Sequence, residues 1–96
     1  MRTITLLLAL LTIPLHADVL AVANRGGTTI TLVDPQTMKS VGTVGVGVDP
    51  HEIAIGSDGR TAYVSNYGGS NGTTLSVVDL QTRTKIRDVS IAPLAG

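Results

Sequence analysis

The chain has 96 residues, with 7 basic against 7 acidic side chains, 2 tyrosines as its whole aromatic content, and no cysteine, phenylalanine or tryptophan. Balanced charge and so few rings argue against a nucleic-acid binder, which needs a basic surface and stacking platforms. Without cysteine there is no disulfide framework of the kind that stabilises many small exported domains, so stability has to come from packing repeated units together.

Residues 1–17 begin with Arg2, continue through an apolar run over 4–15 broken only by Thr5, Thr12 and Pro14, and end on the small residue Ala17. That order describes a cleaved secretory signal, and it sets the expected mature start at Asp18 and the destination as periplasmic or extracellular. The run is shorter than the roughly 20 residues a membrane-spanning helix needs, so no membrane span is expected after cleavage. With no cysteine at the cleavage site, a lipid anchor is excluded as well.

The rest reads as strand and turn, with no segment of helical period. Residues 19–24 (VLAVAN) and 29–34 (TITLVD) are β-branched runs joined by Arg25-Gly26-Gly27-Thr28, whose glycines suit a hairpin. Pro35-Gln36-Thr37 makes the next turn, and residues 40–48 read either as a third strand with Val44, Val46 and Val48 on one side and Gly45 and Gly47 on the other, or equally as an irregular edge. A second unit follows. Residues 51–55 (HEIAI) form a short strand, Gly56-Ser57-Asp58-Gly59-Arg60 carries an Asp-Gly turn, and residues 61–66 (TAYVSN) return. After a loop over 67–73, strands are expected at 74–79 (TLSVVD) and 85–91 (KIRDVSI), with a turn over 80–84. Apolar or small residues occupy both sides of most of these strands, which predicts sheets covered on both faces.

The two units are copies. Asn24 aligns with Asn66, Asp34 with Asp79, Gln36 with Gln81 and Thr37 with Thr82, a period of about 42–45 residues that matches four-stranded propeller blades. The run VDPHEIAIGSDGRTAYVSN resembles the repeat of the YVTN-family β-propellers: a lead-in containing proline, an apolar strand, a Ser-x-Asp-Gly turn and a Tyr-Val-x-Asn strand end, here Tyr63-Val64-Ser65-Asn66. In the first copy Ala21-Val22-Ala23-Asn24 replaces the tyrosine motif. The resemblance implies an all-β fold, a β-propeller of four-stranded antiparallel blades. Blade one would occupy residues 18–48 and blade two 49–92.

The same resemblance makes the strand before the Ser-x-Asp-Gly turn the innermost of its blade, and the first copy lacks it. About two blades of an incomplete ring are therefore expected, since propellers have about four to eight and repeat arrays need about three units. That describes the N-terminal part of a longer propeller. The alternative is a short chain that assembles its ring from several copies.

Asp49-Pro50-His51-Glu52 is the strongest candidate for chemistry, because the resemblance puts the lead-in to an innermost strand at the rim of the central channel. An imidazole beside a carboxylate can act as an acid/base pair or as a metal ligand. Against this, neighbours on a strand point to opposite faces, so His51 and Glu52 are not expected to act on one atom. His51 is expected to tie its loop to the adjacent strand, and the mature part offers no second histidine for a metal set. Asp58, Asp34 and Asp79 each stand alone beside a turn, where carboxylates cap backbone N–H groups, and calcium would need a denser acidic loop. Asn24 and Asn66 are read as turn formers, with Asn66 kept as a weaker binding candidate beside Tyr67. The loop over 66–73 is three residues longer than its counterpart in the first copy, and its tyrosine among small residues suits recognition. Asn71-Gly72-Thr73 is a formal glycosylation sequon.

No Gly-x-Ser-x-Gly elbow is present, and neither glycine pair opens a helix to cradle phosphate. No metal or cofactor is expected. The reading is an exported scaffold that binds a protein or small-molecule ligand through His51, Glu52, Asn66 and Tyr67, with no assigned catalytic residue beyond His51 as a weak candidate. The alternatives that the resemblance implies are part of a propeller enzyme, either a lactonase-type hydrolase or a quinone- or haem-dependent oxidoreductase subunit, and a structural surface-layer repeat protein.

Overall fold

The computed structural model describes residues 18–68 and 74–91. The signal expected over 1–17, the sequon at Asn71 and the end of the chain beyond Ile91 lie outside the described residues. Strands β1 (Leu20–Ala23), β2 (Thr29–Asp34) and β3 (Lys39–Gly45) form one antiparallel sheet in the order β1-β2-β3. Strands β4 (Pro50–Ile55), β5 (Thr61–Asn66), β6 (Thr74–Asp79) and β7 (Thr84–Ser90) form a second, in the order β4-β5-β6-β7. Each strand pairs with the next in sequence, as an up-and-down blade requires. The first sheet has no counterpart of β4 among the described residues, so one edge of β1 is unpaired there.

Turn chemistry sets these boundaries. Asp34 Oδ1 accepts from Gln36 N at 2.8 Å and Met38 N donates to Asp34 O at 2.7 Å. In the second sheet Asp79 Oδ1 accepts from Gln81 N at 2.9 Å and Arg83 N donates to Asp79 O at 2.8 Å. Met38 and Arg83 both close their turns at a φ of 61°. Asp58 accepts from Arg60 N and Thr61 N, each at 2.9 Å, and caps the β4–β5 turn, where Gly59 supplies a φ of 67°. All three aspartates thus act on backbone N–H groups.

The repeat extends to its irregularities. Pairing of β2 with β3 slips between Leu32 and Val33, leaving Val41 without a partner, and pairing of β6 with β7 slips between Val77 and Val78, leaving Ile86 without one. These are the same position of the unit. Such a bulge bends its strand and increases the local twist, so both outer strands curve alike.

The core lies between the sheets. Ile30, Leu32 and Val44 of the first meet Ala62, Val64 and Val78 of the second, all buried, with Ala21, Val41, Val46, Ile53 and Leu80 around them. Strand β1 packs beside β4, and β3 beside β7. Sheets covered on both faces are the expectation; among the described residues each sheet covers one face of the other, and on the far side of the second sheet Val77 is nonetheless buried. Leu20 and Val22 on the far side of the first sheet, and Tyr63 and Val89 on the far side of the second, are exposed.

Strand β3 ends at Gly45, short of the expected Val48. Val46 N still reaches Thr28 O at 2.8 Å, but the chain then bends and Asp49 takes a left-handed φ of 56° to enter β4. Gly47 passes so close to Asn66 that a Cβ there would lie 2.6 Å from Asn66 Nδ2. The segment connects the sheets instead of extending one.

Candidate functional site

The connector delivers Asp49, His51 and Glu52 to one end of the second sheet, beside the β1–β2 turn. Asp49 is the hub. Its N donates to Gly27 O at 2.8 Å, its Oδ1 accepts from Gly26 N at 2.7 Å, and its O accepts from Tyr67 N at 3.0 Å. One residue in a left-handed conformation therefore joins the turn of the first sheet to the end of β5 in the second. The Gly26 hydrogen bond, with help from His51 and Arg25, holds the Asp49 carboxyl below its ordinary range.

His51 Nε2 lies 3.3 Å from Asp49 Oδ2, which ties the lead-in back on itself. Its ring also stacks on Tyr67, with centroids 4.0 Å apart and planes 11° from parallel. The Tyr67 hydroxyl donates to Glu52 Oε1 at 3.2 Å, and this bond to an acceptor carboxylate pushes the phenol's pKa up. Glu52 N in turn donates to Ser65 Oγ at 3.2 Å.

His51 and Glu52 were expected on opposite faces. Pairing of β4 with β5 slips between Pro50 and Glu52, which takes His51 out of the regular alternation. Tyr67 then touches both, through its ring face and its hydroxyl. Tyr67 is exposed, so this end of the sheet offers an aromatic ring held by two neighbours and flanked by the Asp49 and Glu52 carboxylates.

Asn66 stands apart from that group. It is 2% exposed and faces the first sheet, where Nδ2 donates to Thr74 Oγ1 at 3.1 Å and to Ser76 Oγ at 3.0 Å. Its Oδ1 has no partner among the described residues. Asn24 repeats the clamp, donating to Thr29 Oγ1 at 2.9 Å and Thr31 Oγ1 at 2.8 Å. Sequence reasoning treated both asparagines as turn formers. Each side chain instead pins its hairpin through two hydroxyls of the next strand, a role foreshadowed only by the hydroxyl residues two apart on that strand, Thr29 and Thr31 in the first copy and Thr74 and Ser76 in the second.

At the other end of the sheets, a groove of about 770 Å³ runs between them, lined by Asp34, Val41, Ile55, Asp58, Arg60 and Arg83 among others. Arg60 is committed to Asp79 through a two-pronged hydrogen bond, and Arg83 Nη1 donates to Val41 O at 2.8 Å, from the second sheet to the first. None of the sequence-derived binding candidates lies there. Among the described residues, no three His, Cys, Asp or Glu side chains converge to hold a metal.

Two stacked up-and-down sheets, joined by a short connector and carrying the same bulge, are blades of a β-propeller. A chain of Kuenenia stuttgartiensis Hydrazine Synthase is similar, at 34% identity and a TM-score of 0.70 over 77% of this chain. This chain spans 20% of the length of that one. No family model matches the sequence, and no curated protein matches it.

Proposed function

We propose that this chain is an exported β-propeller scaffold of YVTN type that binds a protein or small-molecule ligand at the end of blade two carrying Asp49, His51, Glu52 and Tyr67. The observation that carries the proposal is the double hold on Tyr67, by the His51 ring on its face and the Glu52 carboxylate on its hydroxyl. An exposed tyrosine fixed before binding loses little freedom on contact, which is what an anchor residue needs. Export rests on the order of residues 1–17, and the YVTN type on Ser57-Asp58-Gly59 and Tyr63-Val64-Ser65-Asn66. The division into blade one (18–48) and blade two (49–92) is supported by the break in pairing between Gly45 and Pro50.

The test is differential retention from a periplasmic extract by the immobilised chain. A ligand held by the wild type and lost in Tyr67→Ala and His51→Ala, with the melting temperature unchanged, is the expected result. Equal retention by the Tyr67→Ala protein sinks the reading, as does a loss that only tracks falling stability.

A second reading, a propeller subunit of an enzyme, is favoured by the 34% identity to a chain of a hydrazine synthase. It predicts that His51→Ala lowers turnover of the assembled enzyme without lowering its melting temperature.

A further inference from the structure

One tie in blade two has no equivalent in blade one. Register fixes the match between them: Leu20 is opposite Val33 as Ala62 is opposite Val78. One step outward Thr61 is opposite Asp79, and the same step sets Val19 against Asp34 and makes Asp18 the counterpart of Arg60. In blade two, residue 60 is held to the end of β6 twice. Its guanidinium grips the Asp79 carboxylate at 2.9 and 3.1 Å, and its carbonyl accepts from Leu80 N at 2.8 Å. Blade one loses both ties: an acid replaces the arginine, and the counterpart of Leu80 is Pro35, which has no N–H to donate.

Asp34 nonetheless keeps the geometry of Asp79. Its Oδ1 accepts from Gln36 N at 2.8 Å, as Asp79 Oδ1 accepts from Gln81 N at 2.9 Å, but among the described residues no basic side chain pairs with it. Asp18 and Asp34 line the same groove between the sheets, together with Asp58, Arg60 and Arg83. Both arginines are occupied, Arg60 by Asp79 and Arg83 by Val41 O. Asp58 is taken up by Arg60 N, Thr61 N and Thr61 Oγ1. A carboxylate built like Asp79 thus has an acid at the position from which its twin receives a guanidinium.

We propose, on the reading that residues 1–17 are an export signal, that the missing cation is the α-ammonium of Asp18, made when that signal is removed. Hydrolysis adds one water across the Ala17–Asp18 amide. Ala17 leaves as a carboxylate, and the amine freed on Asp18 takes up the proton that the new acid gives up, since its ordinary pKa is about 7.7–8.0. Before the cut this nitrogen is an uncharged amide, which offers a carboxylate one neutral hydrogen bond. After it, the same atom carries a positive charge beside the residue that faces Asp34, and charge-assisted hydrogen bonds are roughly twice as strong as neutral ones. The cut end of the chain then does for β1 and β2 what Arg60 does for β5 and β6.

To test this, the full chain is produced with residues 1–17 in place, recovered from the exported fraction, sequenced from its N-terminus and treated at neutral pH with a limiting amount of an amine-acylating reagent. The first residue is expected to be Asp18, and its α-amine to acylate about two- to fivefold faster in Asp34→Asn than in the wild type, the range that an exposed ion pair supports. Asp58→Asn removes another carboxylate from the same groove, one that is already committed, and should leave the rate at the wild-type value. In both variants the amide keeps an oxygen to cap its turn, so the fold survives the change. A product that retains residues 1–17 overturns the export reading and the pairing together. A product that begins at another residue, or one that begins at Asp18 and acylates equally fast in the wild type and Asp34→Asn, overturns the pairing and leaves export standing. Equal acceleration by Asp34→Asn and Asp58→Asn overturns it too, because the amine would then sense only the total charge of the groove.

Discussion

Arg60 and Asp79 meet as a fork, with Nε and Nη2 of the guanidinium 3.1 and 2.9 Å from the two carboxylate oxygens. The pair staples the turn before β5 to the end of β6, and Asp79 also accepts from Gln81 N and Thr82 N. Arg60 first, then these backbone donors, hold the Asp79 pKa far below its ordinary value. A depressed carboxyl contributes stability above its unfolded pKa of about 3.9, and that contribution fades as the pH falls through the folded value. Asp58, held down by Arg60 N and Thr61 N, acts in the same direction. The melting temperature of the wild type should therefore fall steadily below about pH 4, and that of Asp79→Asn should start lower and fall less steeply. Parallel acid limbs in the two proteins would count against this account.

Leu32 is fully buried at the centre of the interface between blades. Leu32→Ala should cost about 2–5 kcal/mol in urea unfolding. Because the core is shared by both sheets, the midpoints followed by circular dichroism and by tyrosine fluorescence should shift together; separate transitions would show that the blades unfold independently.

Gly47 and Gly45 separate packing from backbone effects. A methyl group at Gly47 runs into Asn66, whereas one at Gly45 meets nothing within 4 Å. Gly45→Ala should be neutral or stabilising by up to about 1 kcal/mol, because it narrows the unfolded ensemble. Gly47→Ala should lower the melting temperature clearly. Equal behaviour of the two would remove the proposed contact with Asn66.

Glu52 raises the Tyr67 pKa by accepting the phenol proton in a hydrogen bond. Ultraviolet titration of Glu52→Gln should bring one tyrosine down towards the ordinary value of about 10. Tyr67→Phe should keep the upfield ring-current shift of the His51 protons, and Tyr67→Ala should abolish it. A His51 spectrum unchanged by Tyr67→Ala would mean that the rings do not stack in solution.

The blades were legible in the sequence because their signals are local. Asp34, Asp58 and Asp79 mark turns by themselves, and the recurrence of Asp34, Gln36 and Thr37 as Asp79, Gln81 and Thr82 reveals the repeat. The end of β3 was not legible, because Gly47 is shaped by Asn66 in the next blade and no neighbouring residue announces that contact. At the candidate site His51, Glu52 and Tyr67 were each identified, but simple alternation separated His51 from Glu52. A bulge at His51 undoes that alternation, and it depends on how two strands fit together instead of on the composition of either. Asn66 was placed among the binding candidates by its position beside Tyr67. Its side chain points the other way along the alternation and is buried between the blades.

The left-handed turn at Asp49 also bears on geometry at a larger scale. A circular array compounds any error in the angle between neighbours, and a few degrees at each step separate a closed ring from an open spiral. Apolar surfaces alone allow such drift, since their attraction has no direction. Asp49 limits it with a directional device, because its N, O and Oδ1 are each bonded to a different backbone group drawn from both blades. The connector works as a protractor, setting the angle between the two blades from a single residue.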